Sequence, residues 1–105
     1  MLFRSKPFDI HVTSSSTTIP VQLSPSPLRF QSATFVGVAS FDAYGRGVAN
    51  TSTAHLGLTR NRIALEVKAG KDISVSAPPG EFYDLRDFWF LPQTANDGVC
   101  VYLTA

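Results

Sequence analysis

The stretch Arg62–Ala77 reads R-I-A-L-E-V-K-A-G-K-D-I-S-V-S-A. Ile63, Leu65 and Val67 alternate with Arg62, Ala64, Glu66 and Lys68; after Ala69-Gly70-Lys71-Asp72, Ile73, Val75 and Ala77 alternate with Ser74 and Ser76. Successive side chains of a strand point to opposite faces, so this period of two puts the aliphatic set against a core and the polar set in water. A glycine-containing polar break between two such runs predicts a β-hairpin with one buried face.

The same period continues outward in both directions. Phe8, Ile10 and Val12 alternate with Asp9, His11 and Thr13, and Ile19, Val21 and Leu23 return as a second strand. Pro20 in that run has no amide to donate to a ladder and predicts an edge position. Ser24-Pro25-Ser26-Pro27 is a stiff connection, too short to act as a linker between separate domains. In Thr34–Asp42, Val36 and Val38 face one way while Phe35, Gly37, Ala39 and Phe41 face the other, so both faces are apolar and the strand is expected to be central. Gly37 and Ala39 between phenylalanines predict close approach of another backbone or ring. Ala43–Thr53, with Gly45 and Gly47 around Arg46, reads as an exposed loop with a mobile tip.

His55–Leu58 reads as a short strand, Ala77-Pro78-Pro79-Gly80 as a rigid turn, and Asp84–Asp87 as a bend capped by a carboxylate. Phe88–Leu91 is a strand with both faces apolar, Asn96-Asp97-Gly98 is a hairpin signal, and Val99–Thr104 is the last strand. About eight strands at intervals of about ten residues predict one all-β domain over residues 1–105, an antiparallel β-sandwich or jelly-roll-like barrel, with residues 1–7 readable as a flexible arm.

Composition narrows the function classes. A net charge of +1 on 105 residues supplies no broad field for nucleic acid or an anionic membrane. No apolar run approaches membrane-spanning length, and Met1–Asp9 has neither signal-peptide nor anchor character, so folding in a reducing cytosol is expected. Cys100 is the one cysteine and reads as a small buried thiol. His11 and His55 fall on different strands without a neighbouring carboxylate, and the chain lacks a G-x-S-x-G elbow and metal-ligand spacing. Asp84 and Asp87 are better explained by capping than by calcium, and Gly45-Arg46-Gly47 has no following helix to make a phosphate loop. These readings predict a non-enzymatic protein without cofactor or metal.

The aromatic residues point to a surface. If Phe88 and Phe90 are inward, Trp89 and Leu91 emerge on the opposite face. Trp89 then has three readings: a core residue if the faces are inverted, a subunit contact, or a stacking platform for sugars.

From Val48 onward the order of features resembles small all-β bacteriophage virion proteins. The matching elements are Asn50 in its loop, Leu56-Gly57, Ala69-Gly70-Lys71, Asp84-Leu85-x-Asp87 and Gly98-Val99-x-Val101-Tyr102. The shared positions shape backbone, and no functional residue carries over. The resemblance implies a structural subunit of a phage particle made in the host bacterial cytoplasm: a capsid decoration (cement), head-fibre or tail-associated protein, without cofactors, often trimeric, bound to the major capsid protein or other virion subunits. The residues expected to meet partners are Tyr44, Arg46, Asn50, Tyr83 and Trp89. The alternative is a carbohydrate- or receptor-binding module in which Tyr44, Tyr83 and Trp89 form a stacking surface.

Overall fold

A computed structural model describes residues 8–104 of the chain. The expected arm over residues 1–7 lies outside the described residues. The strands are β1 (Phe8–Thr13), β2 (Val21–Gln22), β3 (Arg29–Phe30), β4 (Ser32–Phe41), β5 (Gly47–Ala49), β6 (Ala54–Gly57), β7 (Leu65–Val67), β8 (Asp72–Ser76), β9 (Tyr83–Asp84), β10 (Trp89–Pro92) and β11 (Gly98–Thr104). One 3₁₀ turn, Leu85–Asp87, joins β9 to β10. The chain is all-β, as the periodicity predicts.

One sheet runs β1-β11-β4, with β8 and β5 sharing the far edge of β4; a second runs β2-β10-β6-β7; β3 and β9 form a two-stranded ribbon. Leaving aside β3, β5 and β9, the remaining strands pair first with last and inward: β1 with β11, β2 with β10, β4 with β8, β6 with β7, all antiparallel. That is a long hairpin folded over on itself, closed by the β11–β4 and β10–β6 ladders. This connectivity is a jelly roll.

Jelly-roll wrapping corrects two expectations. The Arg62–Ala77 stretch is not a hairpin: β7 pairs with β6 in one sheet and β8 with β4 in the other. Its turn is an arch that carries the chain across the sandwich. Lys71 N–H donates to Lys68 O at 2.9 Å, and Gly70 takes φ +69°, a conformation glycine adopts without strain. Asn96-Asp97-Gly98 likewise leads from β10 to β11, which lie in different sheets, with Asn96 at φ +72°. Only the face of each residue is written in a period of two; the partner strand is not.

The expected central strand is central. Ala33 and Phe35 of β4 point inward beside Leu103 and Val101 of β11, and Ile73 and Val75 of β8 continue the row. The second sheet answers with Ala54, Leu56, Val67 and Phe90, while Phe30, Leu85 and Phe88 fill the end beneath the β3–β9 ribbon. Gly37 is where another backbone comes close: it accepts from Gly70 N–H and Asn50 N–H and donates to Lys71 O, all at 3.2 Å, which docks the arch on β4.

Beyond Gly37 the alternation breaks. The β4–β5 register shifts between Val38 and Ser40, a bulge that reverses the faces that follow. Phe41, expected on the same face as Phe35, therefore lies outside the sandwich, with its ring 5.0 Å from that of His11. Ala43–Thr53 also contains more order than a loop reading implies, because Gly47–Ala49 returns along β4 as β5. Pro20 ends just before β2, which is an edge strand as its missing amide predicts.

Candidate functional site

β7 and β8 leave the arch in different sheets, so the sandwich gapes on the side away from the turn. Between them is a cleft of about 560 Å³ lined by Leu58, Leu65, Val75, Phe82, Tyr83 and Phe88. Leu65 is 47% exposed and Phe82 55% exposed although both belong to apolar stretches. Leu65 sits opposite inward-facing Leu56 in the β6–β7 register, so it points towards the core side but at an edge with no strand beyond it. The β3–β9 ribbon closes one wall, with the Tyr83 ring edge-on to Phe30 at 6.1 Å.

Arg29, Asp84 and Asp87 supply the polar lining. Asp84 caps the 3₁₀ turn: its Oδ1 accepts from Arg86 N–H at 3.0 Å and from Leu28 N–H at 2.9 Å. The Leu28 amide first, then that of Arg86, holds its carboxyl below the usual carboxylate range. A lowered folded pKa means stability that is present above the unfolded value of about 4 and is lost as pH falls through the folded value. Acid titration of the parent chain should therefore show a stability loss below about pH 4 to which this corner contributes, and Asp84→Asn should shrink that loss while lowering stability at neutral pH. Asp87 is exposed and leaves one carboxylate available at the mouth of the cleft.

A second surface lies at the other end of β4. Asp42 organises the β4–β5 tip: Oδ1 accepts from Tyr44 N–H and Arg46 N–H, both at 2.9 Å, and Oδ2 accepts from Arg46 Nε at 2.8 Å. The Arg46 amide above all holds the Asp42 carboxyl below its usual range. Gly45 takes φ +79°, and the Arg46 guanidinium lies 5.3 Å from the Tyr44 ring centre. Tyr44 is presented on this tied tip at 84% exposure. Beside it a shallow hollow of about 280 Å³ includes Val36, Val38, Phe41 and Tyr102 on the outer face of the first sheet.

The five residues expected to meet partners are thus not one site. Tyr44 and Arg46 share the tip, whereas Tyr83 belongs to the cleft at the opposite end of β4; a ten-residue strand separates the two by about 30 Å. Tyr44 and Tyr83 do not share a stacking surface. Trp89 does emerge opposite inward-facing Phe90, half-buried on the outer face of the second sheet between Gln22 and Gly57.

Asn50 is a structural residue. It is 5% exposed; its Nδ2 donates to Gly98 O at 2.9 Å and its Oδ1 accepts from Gly98 N–H at 3.1 Å, replacing a missing strand partner. Next to it, buried Asp97 accepts from the amides and hydroxyls of Thr51 and Ser52. Asn50→Ala strands both polar groups of Gly98 and should cost about 2–3 kcal/mol, read as a lower denaturant midpoint with unchanged slope. Leu58, Leu65 and Phe82 are surface residues that hydrophobic periodicity does not mark as such. The available signal was Phe82-Tyr83, adjacent aromatics that cannot both face one core.

Cys100 is buried on the outer face of the first sheet, where burial raises its thiol above the ordinary range. His11 lies opposite it in the β1–β11 register, but its Nε2 is committed to Val38 O at 2.9 Å. A protonated thiol beside a committed imidazole is poorly set up for nucleophilic attack. His55 faces Glu66 across β6–β7, Nε2 to Oε1 at 3.9 Å. Among the described residues no group of three or more His, Cys, Asp or Glu is placed to hold a metal ion. Among the described residues, exposed apolar side chains gather at the cleft and beside the tip. No protein-family model matches the chain, and neither a curated protein nor a solved structure matches it.

Proposed function

We propose that this chain is a non-enzymatic structural protein of a bacteriophage particle, a decoration subunit that stabilises the capsid through protein–protein contacts. The observation that carries this reading is the pair of exposed apolar surfaces at opposite ends of β4, Leu58, Leu65 and Phe82 at one and Phe41, Tyr44 and Val48 at the other. A twofold dimer needs one self-complementary patch, whereas a ring or a lattice needs two different ones on each subunit. A rotation of about 120° at each contact closes a trimer. The jelly roll supports the reading by analogy only, since capsid proteins share the architecture with lectins and cupins.

Light scattering across a range of concentrations, followed by co-sedimentation with capsids lacking this protein, tests the proposal. A trimer that saturates such capsids is the expected result. A chain that stays monomeric and leaves capsids undecorated overturns it.

A further inference from the structure

We infer that the cleft between β7 and β8 receives the β4–β5 tip of a second copy of this chain, Tyr44 entering between Leu65 and Phe82 while Arg46 meets Asp87. This rests on the assembly reading above and names the contact that builds it.

The two surfaces are complementary in shape and in charge. The tip projects a single aromatic ring at 84% exposure, and the cleft is a concavity of about 560 Å³ with leucine and phenylalanine walls. Arg46 spends only its Nε on Asp42, so its terminal nitrogens remain for another carboxylate. Asp84 is already occupied by two amides on Oδ1 and by the Arg86 guanidinium 4.0 Å from Oδ2, which leaves Asp87 as the acceptor among the carboxylates of the cleft. The tip is also preorganised: both Asp42 oxygens are engaged, and Asp42 N–H donates to Arg46 O at 2.9 Å, so little freedom is lost on docking.

Tip and cleft lie about 30 Å apart along β4, beyond the reach of any side chain, so the tip cannot fill its own cleft. The contact must be head-to-tail between copies. Tyrosine and arginine at the centre of an apolar contact are the residue types that dominate binding energy.

A head-to-tail contact has a signature that a twofold contact lacks. Tyr44→Ala removes the tip and keeps the cleft; Phe82→Asp spoils the cleft and keeps the tip. Both positions are exposed, so both variants should fold, and Leu58→Asp at 62% exposure replaces the second should it fail. The expected result, by analytical ultracentrifugation, is that each variant alone associates at least ~30-fold more weakly than the parent chain. Mixed, they should form one-to-one pairs and nothing larger, because only one intact tip and one intact cleft remain per pair. Tyr44→Ala assembling like the parent overturns the inference, as does a mixture that stays monomeric. Association lost with Phe82→Asp but kept with Tyr44→Ala also overturns it, and assigns the cleft to another segment or ligand. A parent chain that never self-associates overturns the inference together with self-assembly, whereas an assembling parent indifferent to both substitutions removes the docking contact alone.

Discussion

Gly57→Ala should be the most damaging single-methyl change in the protein, lowering unfolding free energy by about 3–4 kcal/mol, at or beyond the upper end of overpacking effects. A Cβ on Gly57 would stand 2.1 Å from Arg62 O and 2.7 Å from Ile63 Cα. Both are backbone atoms, so relief requires moving the Thr59–Arg62 turn, where Arg62 N–H donates to Thr59 O at 3.2 Å. A domain of this size has about 5–15 kcal/mol of stability in all, so the variant should be marginal at room temperature. Urea unfolding of Gly57→Ala beside Gly45→Ala checks the cause. Gly45 has φ +79° but nothing within 4 Å, so its alanine should cost only about 1 kcal/mol, from backbone strain alone. Equal losses at the two positions would rule out crowding as the reason.

Phe35→Ala should cost about 3–5 kcal/mol. Phe35 has no exposed surface, lies between Val101 of β11 and Ile73 of β8, and packs against Phe88 with ring centres 5.5 Å apart. Its removal empties the middle of the sandwich, where both sheets are pinned by ladders and cannot collapse inward. Val36→Ala, one residue along on the outer face, should cost about 1 kcal/mol or less. Phe41→Ala should behave like Val36→Ala rather than like Phe35→Ala, because the bulge after Val38 turns that ring outward. A large loss at Phe41 would contradict the reversed face.

The candidate site was only partly legible. Tyr44 and Arg46 could be placed on an exposed tip because Gly45 and Gly47 flank the cation, and Trp89 could be placed opposite Phe90 by alternation. Asn50 could not be distinguished from a surface asparagine, since its role depends on Gly98, 48 residues away, presenting both backbone groups to it. Leu65 reads as a core residue from its period, and it does face the core side. Its exposure follows from β7 being the last strand of its sheet, with no neighbour to cover it.

Alternation determined the all-β class, the central place of β4 and the inward set Leu65, Val67, Ile73 and Val75, and the missing amide of Pro20 determined the edge place of β2. Each of these rests on which way a side chain points or on whether an amide exists, and both are local properties. Strand pairing is not local, because backbone ladders are chemically the same whichever strand supplies them. Two turns with hairpin composition, at Ala69–Asp72 and Asn96–Gly98, therefore became crossings between sheets. Gly37 receiving the arch on β4, and Asn50 standing in for a strand against Gly98, stabilise those crossings. The cleft exists because β7 and β8 diverge at the first crossing, so the most distinctive surface of this protein was decided by tertiary structure alone.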